Sequence, residues 1–351
     1  GGGGGGGAQL LHALPTADKV PVGRDACRAG PRLHNWRNDA PAAVWWVEAQ
    51  DKGDPKTAAE HRDVLYTQEL PFADTQPREL ARTEWRFSGV SWADEGLALV
   101  REAEYKTRRA RTWQVEPASG RKHASPLLEY SIEDSYLHPG SPMTCITASG
   151  AQLLRRDAHG RLFYSGTGGS EAGDRPFIDI RGTFPPLDES TKEGGFVSAT
   201  NAEAARLWRC AEGEYESSVV IVPNGRSDGE EETAVLLTTR ETKIEVPQLL
   251  ERKLVIPAPS RGPVNLEVDA RATSRQLSDF EHPQPQLLGV TKELIKYKRE
   301  LDGVDLSGML YTPRGYDAQR DGPLPAILWA YPREFKSADF ASQVKGSPHR
   351  F

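Results

Sequence analysis

The segment Arg108-Arg109-Ala110-Arg111-Thr112-Trp113 gathers three guanidinium groups within four positions. On an extended strand alternate residues share a face, so Arg109 and Arg111 point to one side and Arg108 to the other. A guanidinium fork grips a carboxylate through two parallel hydrogen bonds, so Arg109 and Arg111 are candidate readers of an acidic group. Glu102 and Glu104 lie close in sequence and compete for them, as partners in a salt bridge between blades. A catalytic signature is harder to find. No GxSxG nucleophile elbow occurs in the 351 residues, and the nearest approach, Gly89-Val90-Ser91-Trp92-Ala93, lacks the second glycine. HExxH, a P-loop and paired-cysteine metal motifs are absent too, so neither a metal nor a cofactor is expected. The eight histidines are scattered, and His349 has no partner in sequence to orient it.

The elements that must carry these residues read as short strands. Val44–Val47, Asp63–Thr67, Leu97–Val100, Arg111–Val115, Gln152–Leu154, Phe177–Ile180, Ser218–Val222 and Ala234–Thr239 are rich in β-branched and aromatic residues, with Gly, Pro, Asp and Asn between them. Helical periodicity is nearly absent; a short helix is expected at Asn201 to Arg206. A Trp recurs before a strand at Trp36 and Trp92, an offset of 56 residues, with Asp39 and Asp94 following each. That spacing suits one propeller blade with a long loop. Polar insertions at 50–62, 166–175 and 223–233 interrupt the pattern, the last with an acidic run, Ser227 to Glu232, read as a solvated loop.

Phe280-Glu281-His282-Pro283-Gln284-Pro285-Gln286 breaks the β repeats. Past it, Leu294–Tyr297 and Val304–Tyr311 read as a hairpin turned at Asp302-Gly303. The run from Pro323 to Ala330 is almost continuously apolar, the pattern of a strand buried on both faces of an α/β sheet, and it ends in a loop with Tyr331 at its mouth. Ser337 to Lys345 reads as helix or loop. The expected divisions are a Gly-rich start (1–10), a partial β-propeller (11–282), a Pro-rich linker (283–291) and the first part of an α/β-hydrolase domain (292–351). The fold class is therefore mostly β, a partial β-propeller of later blades followed by the first strands of an α/β hydrolase.

A net charge of −6 speaks against a nucleic-acid footprint. No apolar run is long enough to span a membrane. Three dispersed cysteines, Cys27, Cys145 and Cys210, point to a reducing compartment rather than a disulfide framework.

Leu328-Trp329-Ala330-Tyr331-Pro332-Arg333-Glu334-Phe335-Lys336-Ser337, Gln343-Val344-Lys345-Gly346-Ser347-Pro348, Tyr105–Trp113 and Ser141-Pro142-Met143 together resemble the prolyl oligopeptidase family of serine peptidases (S9), nearest to its chloroplast glutamyl endopeptidase group. The resemblance runs through most of the chain after Leu11. It implies a propeller that gates peptides or unfolded segments toward a hydrolase domain, with a Ser-Asp-His triad located beyond Phe351 and the present chain inactive alone. It implies that Tyr331 donates its hydroxyl to an oxyanion hole. Arg333 stands where the family usually has Gly, which would strain a turn requiring positive φ. Cleavage after Glu would give Arg109 and Arg111 a substrate carboxylate to bind. A chloroplast stromal location is implied by the resemblance only. The rival expectation is a non-catalytic propeller serving as a binding scaffold.

Overall fold

The computed structural model describes residues 10, 12–72, 74–93, 96–184, 204–223, 232–258, 273–331 and 333–351. The acidic run through Glu231, residues 1–9 of the Gly-rich start and Asp94 lie outside them. The chain forms two compact units: one of residues 1–129 with 185–196, the other of residues 130–184 with 197–351.

In the first unit, β1 (Gly30–Trp36), β2 (Ala43–Ala49), β3 (Asp63–Glu69) and β4 (Arg78–Thr83) form a four-stranded antiparallel sheet in sequence order. A second such sheet follows from β5 (Arg86–Trp92), β6 (Ala98–Glu104), β7 (Arg109–Val115) and β8 (Leu128–Ser131), whose first two residues close the unit. Trp36 and Trp92 occupy equivalent places, each ending the first strand of its sheet. Val47, Val64, Leu65, Leu80, Leu99 and Val100 are all buried, and because the neighbours Val64-Leu65 and Leu99-Val100 point to opposite faces, β3 and β6 are covered on both sides there. Charge is buried as well. Asp51 and Asp63 are almost fully enclosed, and Arg86 spans them, its Nη2 2.6 Å from Asp51 and its Nη1 2.9 Å from Asp63.

The second unit repeats the meander. β9 (Ser141–Pro142) pairs with β12 (Leu162–Gly166), then come β13 (Phe177–Arg181) and β14 (Ala204–Arg209); the small hairpin β10 (Thr144–Ile146)–β11 (Gln152–Leu154) is inserted after the first strand. β15 (Tyr215–Pro223), β16 (Thr233–Glu241), β17 (Gln248–Val255) and β18 (Thr273–Gln276) complete a fourth four-stranded sheet. Phe163, Ile178, Ile180, Leu207, Leu236 and Leu254 meet in one apolar cluster. Every strand expected from the sequence before the Pro-rich break lies within or overlaps one of these strands, and the mostly β class is borne out.

The expected helix at Asn201 to Arg206 is corrected. Residues 201–203 lie outside the described set, and Ala204–Arg206 begin β14. The reason is period: Ala205 and Leu207 turn inward while Ala204 and Arg206 do not, an alternation a helix would not give.

The hairpin after the Pro-rich break forms as expected, from β19 (Thr291–Lys298) and β20 (Asp305–Thr312), paired without a register shift. Gly303 holds φ 72° in its turn, a conformation that costs glycine little. The run Pro323 to Ala330 departs from expectation. It joins no strand, and Ile327, Leu328 and Trp329 are about nine-tenths exposed or more. An apolar strand is buried only by neighbours on both faces, and among the described residues nothing covers it. Every strand pair in the described residues is antiparallel. Ser337 to Lys345 contains a single helical turn, α2 (Ala338–Ala341), preceded in the chain by α1 (Ala318–Asp321).

Candidate functional site

Arg109 and Arg111 are brought together on one face of β7, as their spacing predicts. Glu129 accepts from both, from Arg109 Nε at 2.9 Å and Arg111 Nε at 3.0 Å. Register sets Glu102 opposite Arg111 and Glu104 opposite Arg109. Arg111 also reaches Glu84 at 2.9 Å and Glu102 at 3.6 Å, and its guanidinium lies 3.8 Å from the centre of the Trp85 ring. The carboxylates therefore come from the same sheet and from the turn before it, rather than from a second blade. Glu102 is fully buried and also accepts from Trp113 Nε1 at 2.9 Å and from the Trp85 amide at 2.9 Å. Arg108 points the other way. Its backbone is left-handed, with φ 58°, and its guanidinium stacks 3.4 Å from the Tyr105 ring centre. Arg109 keeps nearly half its side chain exposed, at 46%.

Tyr331 belongs to the other unit, where its side chain is 85% exposed at the end of the uncovered apolar run. Pro332 lies outside the described residues, so the expected strain at Arg333 has no described turn to act on. Five residues beyond Tyr331 the chain becomes firmly held. The Glu133 carboxylate accepts the Lys336 amide with both oxygens, at 3.2 and 3.0 Å. The Gln343 amide group bridges two partners, accepting from Ser135 N at 2.7 Å and donating to Asp134 Oδ1 at 2.8 Å. The Tyr136 hydroxyl accepts the Val344 amide at 3.0 Å, and Lys345 Nζ donates to the Ser135 hydroxyl. The Asp174 amide donates to Gly346 O at 2.8 Å. Gly173 makes this approach possible: at φ 107°, a Cβ there would stand 2.7 Å from Pro348 Cδ and 3.0 Å from Gly346 O. Farther on, Glu241 accepts the Phe351 amide at 2.8 Å.

Burial pushes the Asp174 carboxyl above the usual carboxylate range, although Lys345 and the Gly346 amide pull it back. Burial likewise lowers the Lys345 ammonium, with Arg333 adding to the effect. The sequence reading singled out Lys336 and Gln343–Pro348 only as parts of a family motif; their role as a clamp escaped it because their partners stand some two hundred positions away, where the local signal was the acidic pair Glu133-Asp134 among aromatic and hydroxyl residues.

Loss of the clamp has a direct readout. Glu133→Ala removes the acceptor for the Lys336 amide, and the chain after Tyr331 is expected to open to trypsin at Lys336 about tenfold faster, a cost of about 1.4 kcal/mol in local opening. Time-resolved digestion followed by mass spectrometry measures it, and an unchanged cleavage rate at Lys336 would show that the Glu133 carboxylate holds nothing.

No protein-family profile matches the chain. Among curated proteins it is 38% identical over 347 residues to a protein of Oryza sativa subsp. japonica named probable glutamyl endopeptidase, chloroplastic, covering 96% of this chain and 33% of that one. It is 36% identical over 346 residues to the protein of the same name from Arabidopsis thaliana, again across 96% of this chain and 33% of the relative. The chain thus spans about a third of the length of the curated relatives it matches. The resemblance to the chloroplast glutamyl endopeptidase group, drawn from short motifs, is borne out over nearly the whole chain. Among solved structures, Porphyromonas gingivalis dipeptidyl peptidase 4 aligns with a TM-score of 0.38 and 12% identity, over 82% of this chain and 43% of that one. The AtxE2 isopeptidase aligns at 0.21 and 10% identity, over 79% and 44%.

Proposed function

We propose, from this kinship with the chloroplast glutamyl endopeptidases, that the chain is part of a serine-type endopeptidase of the prolyl oligopeptidase family that cleaves peptides after Glu. The observation that carries the proposal is the continuous identity to those relatives across 96% of the chain. In this reading residues 11–282 are propeller blades that gate peptide or unfolded-protein substrates, 283–291 are a linker, and 292–351 begin the α/β-hydrolase domain. Four meanders of four antiparallel strands support the first assignment. The hairpin β19–β20 supports the last.

Acyl transfer by this family uses Ser as nucleophile and His as base. With no GxSxG among the 351 residues, the nucleophile is assigned to a segment other than this one. Tyr331 is given the oxyanion role: its hydroxyl donates to the oxygen that gains charge as the tetrahedral intermediate forms. One such donor is worth about 3 kcal/mol, roughly a hundredfold in kcat. The exposure of Tyr331, next to a clamped segment, supports a side chain available to a site completed by other residues. Arg109 and Arg111 are given a mainly structural role, because three carboxylates already neutralise them; the exposed half of Arg109 favours a second reading in which it meets the substrate Glu. The relatives' names favour the chloroplast, and we place the protein in the stroma.

The test uses both lengths. A fluorophosphonate probe is expected to leave the 351-residue chain unlabelled and to label one serine in a longer protein that contains it. In that protein Tyr331→Phe is expected to lower kcat about a hundredfold with little change in KM. An unlabelled longer protein would favour the non-catalytic scaffold, as would robust labelling of neither length in the presence of binding to peptides. If Arg109→Gln and Arg111→Gln leave the preference for Glu over Gln untouched, the substrate-reading role is lost and the structural one stands.

A further inference from the structure

Tyr331 stands near a fixed point on one side and far from any strand on the other. Upstream, β20 ends at Thr312, and residues 323–331 join no helix or strand. Downstream, the Lys336 amide is fastened to the Glu133 carboxylate. Five residues extend at most about 18 Å, so this anchor confines the Tyr331 backbone to a small region beside the loop between β8 and β9.

That loop is shaped independently of the segment it holds. Asp134 Oδ1 accepts the amides of Tyr136 at 3.0 Å and Leu137 at 3.1 Å, which turns the chain back on itself. Glu133 is only 8% exposed. On another side the loop between β12 and β13 presses close: a Cβ on Gly169 would stand 2.7 Å from Ser135 O. Four consecutive residues, Glu133, Asp134, Ser135 and Tyr136, then each engage the downstream segment, at Lys336, Gln343, Gln343 and Val344 in turn. A row of contacts fixes the place and the direction of a segment, which one contact could not. The Phe335 ring, 5.7 Å from Lys345 Nζ, carries this order to within four residues of Tyr331.

An oxyanion donor acts only from within hydrogen-bond reach of the place where charge develops, and an error of about 1 Å can cost about a hundredfold. An exposed tyrosine at the end of an unpaired run has no packing of its own to supply that precision. We infer, building on the oxyanion role proposed for Tyr331, that Glu133 and Tyr136 are positioning residues: the loop between β8 and β9 sets where the Tyr331 hydroxyl stands. The β-sheet part of the chain thereby takes part in catalysis without touching the reacting atoms.

The test is a double-mutant cycle in a longer protein that contains this chain, with kcat expressed per serine titrated by a fluorophosphonate probe, so that unfolded molecules do not count. Glu133→Ala is expected to lower kcat about tenfold and to move KM less than about twofold. Glu133→Gln, whose amide oxygen still accepts the Lys336 N–H, is expected to stay within about threefold of the wild type. In a Tyr331→Phe background, itself about a hundredfold slower, Glu133→Ala is expected to cost nothing further. Should Glu133→Ala fail to fold, Tyr136→Phe removes the hydroxyl that accepts the Val344 amide and decides by the same cycle, with an expected loss of about threefold that also vanishes beside Tyr331→Phe. A structural Glu133 would speed cleavage at Lys336 by trypsin and leave kcat alone. Unchanged kcat in whichever variant decides, losses that multiply with that of Tyr331→Phe, or a Glu133→Gln variant as slow as Glu133→Ala overturns the positioning role while the oxyanion role stands. Unchanged kcat in Tyr331→Phe removes the oxyanion role and the positioning role with it.

Discussion

Asp63→Ala is expected to destabilise the first unit by about 3–5 kcal/mol, the range for breaking a buried ion pair from one side. The side chain is 1% exposed and serves three donors: Arg32 Nη2 at 2.8 Å, Arg86 Nη1 at 2.9 Å and the Phe87 amide at 2.7 Å. Alanine leaves the two guanidiniums enclosed with one fewer counter-charge and the amide without an acceptor. The surface pair Lys298–Asp305, whose side chains are 71% and 67% exposed, is the contrast. There Asp305→Ala is expected to shift the denaturation midpoint hardly at all, because water already screens the pair. Urea titration of both variants measures the difference, and equal midpoints would deny the buried network its role. Asp51 adds a pH dependence. Burial alone would raise its carboxyl, yet hydrogen bonds from Arg86 and Arg62 outweigh that and hold it below the usual range. A depressed carboxyl stabilises the fold above its unfolded value of about 3.9 and loses that contribution as pH falls through its lower folded value. Acid unfolding of the first unit is thus expected below about pH 4.

Phe163→Ala is expected to cost the second unit a similar amount, about 3–5 kcal/mol, for a different reason. Phe163 is wholly buried on β12 and packs with Ile178, Ile180, Leu236 and Leu254. Truncation removes the transfer free energy of the ring and leaves a cavity that strands pinned by ladder hydrogen bonds cannot close. Met143 lies against the same cluster and is unbranched, so it can fill part of the gap. Phe163→Met should therefore recover more than half of the loss. Thermal unfolding monitored by tryptophan fluorescence checks both, and a Phe163→Ala variant that melts with the wild type would remove this cluster from the stabilising core.

The strands were legible because each states its own evidence. Val44–Val47 and Ala234–Thr239 carry β-branched, apolar runs between turn residues, and no distant partner is needed to recognise them. Asp302-Gly303 announced its hairpin in the same local way. The ion pairs were half legible. Arg109 and Arg111 signalled a carboxylate partner, but Glu129 was invisible as that partner because β8 returns to β7 through a turn that sequence spacing does not encode. Residues 323–330 mislead for the converse reason. Their apolarity is a statement about what should surround them, and burial is a property of the surroundings. The buried network of Asp51, Asp63 and Arg86 gave no signal at all, since isolated Asp and Arg residues ordinarily sit on surfaces.

The clamp on the last residues has a consequence for synthesis of the chain. Gln343 lies 208 residues beyond Ser135, the amide it binds. At about 5–20 residues per second, translation separates the two by about 10–40 s. During that interval the loop from Glu133 to Tyr136 emerges with its acceptors facing water, while the sheets that follow it can already pair. The contact closes over a long span of chain, which makes it a late step and excludes it from the folding nucleus. The nascent chain therefore passes through a stage with its sheets formed and this loop vacant, open to any extended segment that offers a matching row of amides.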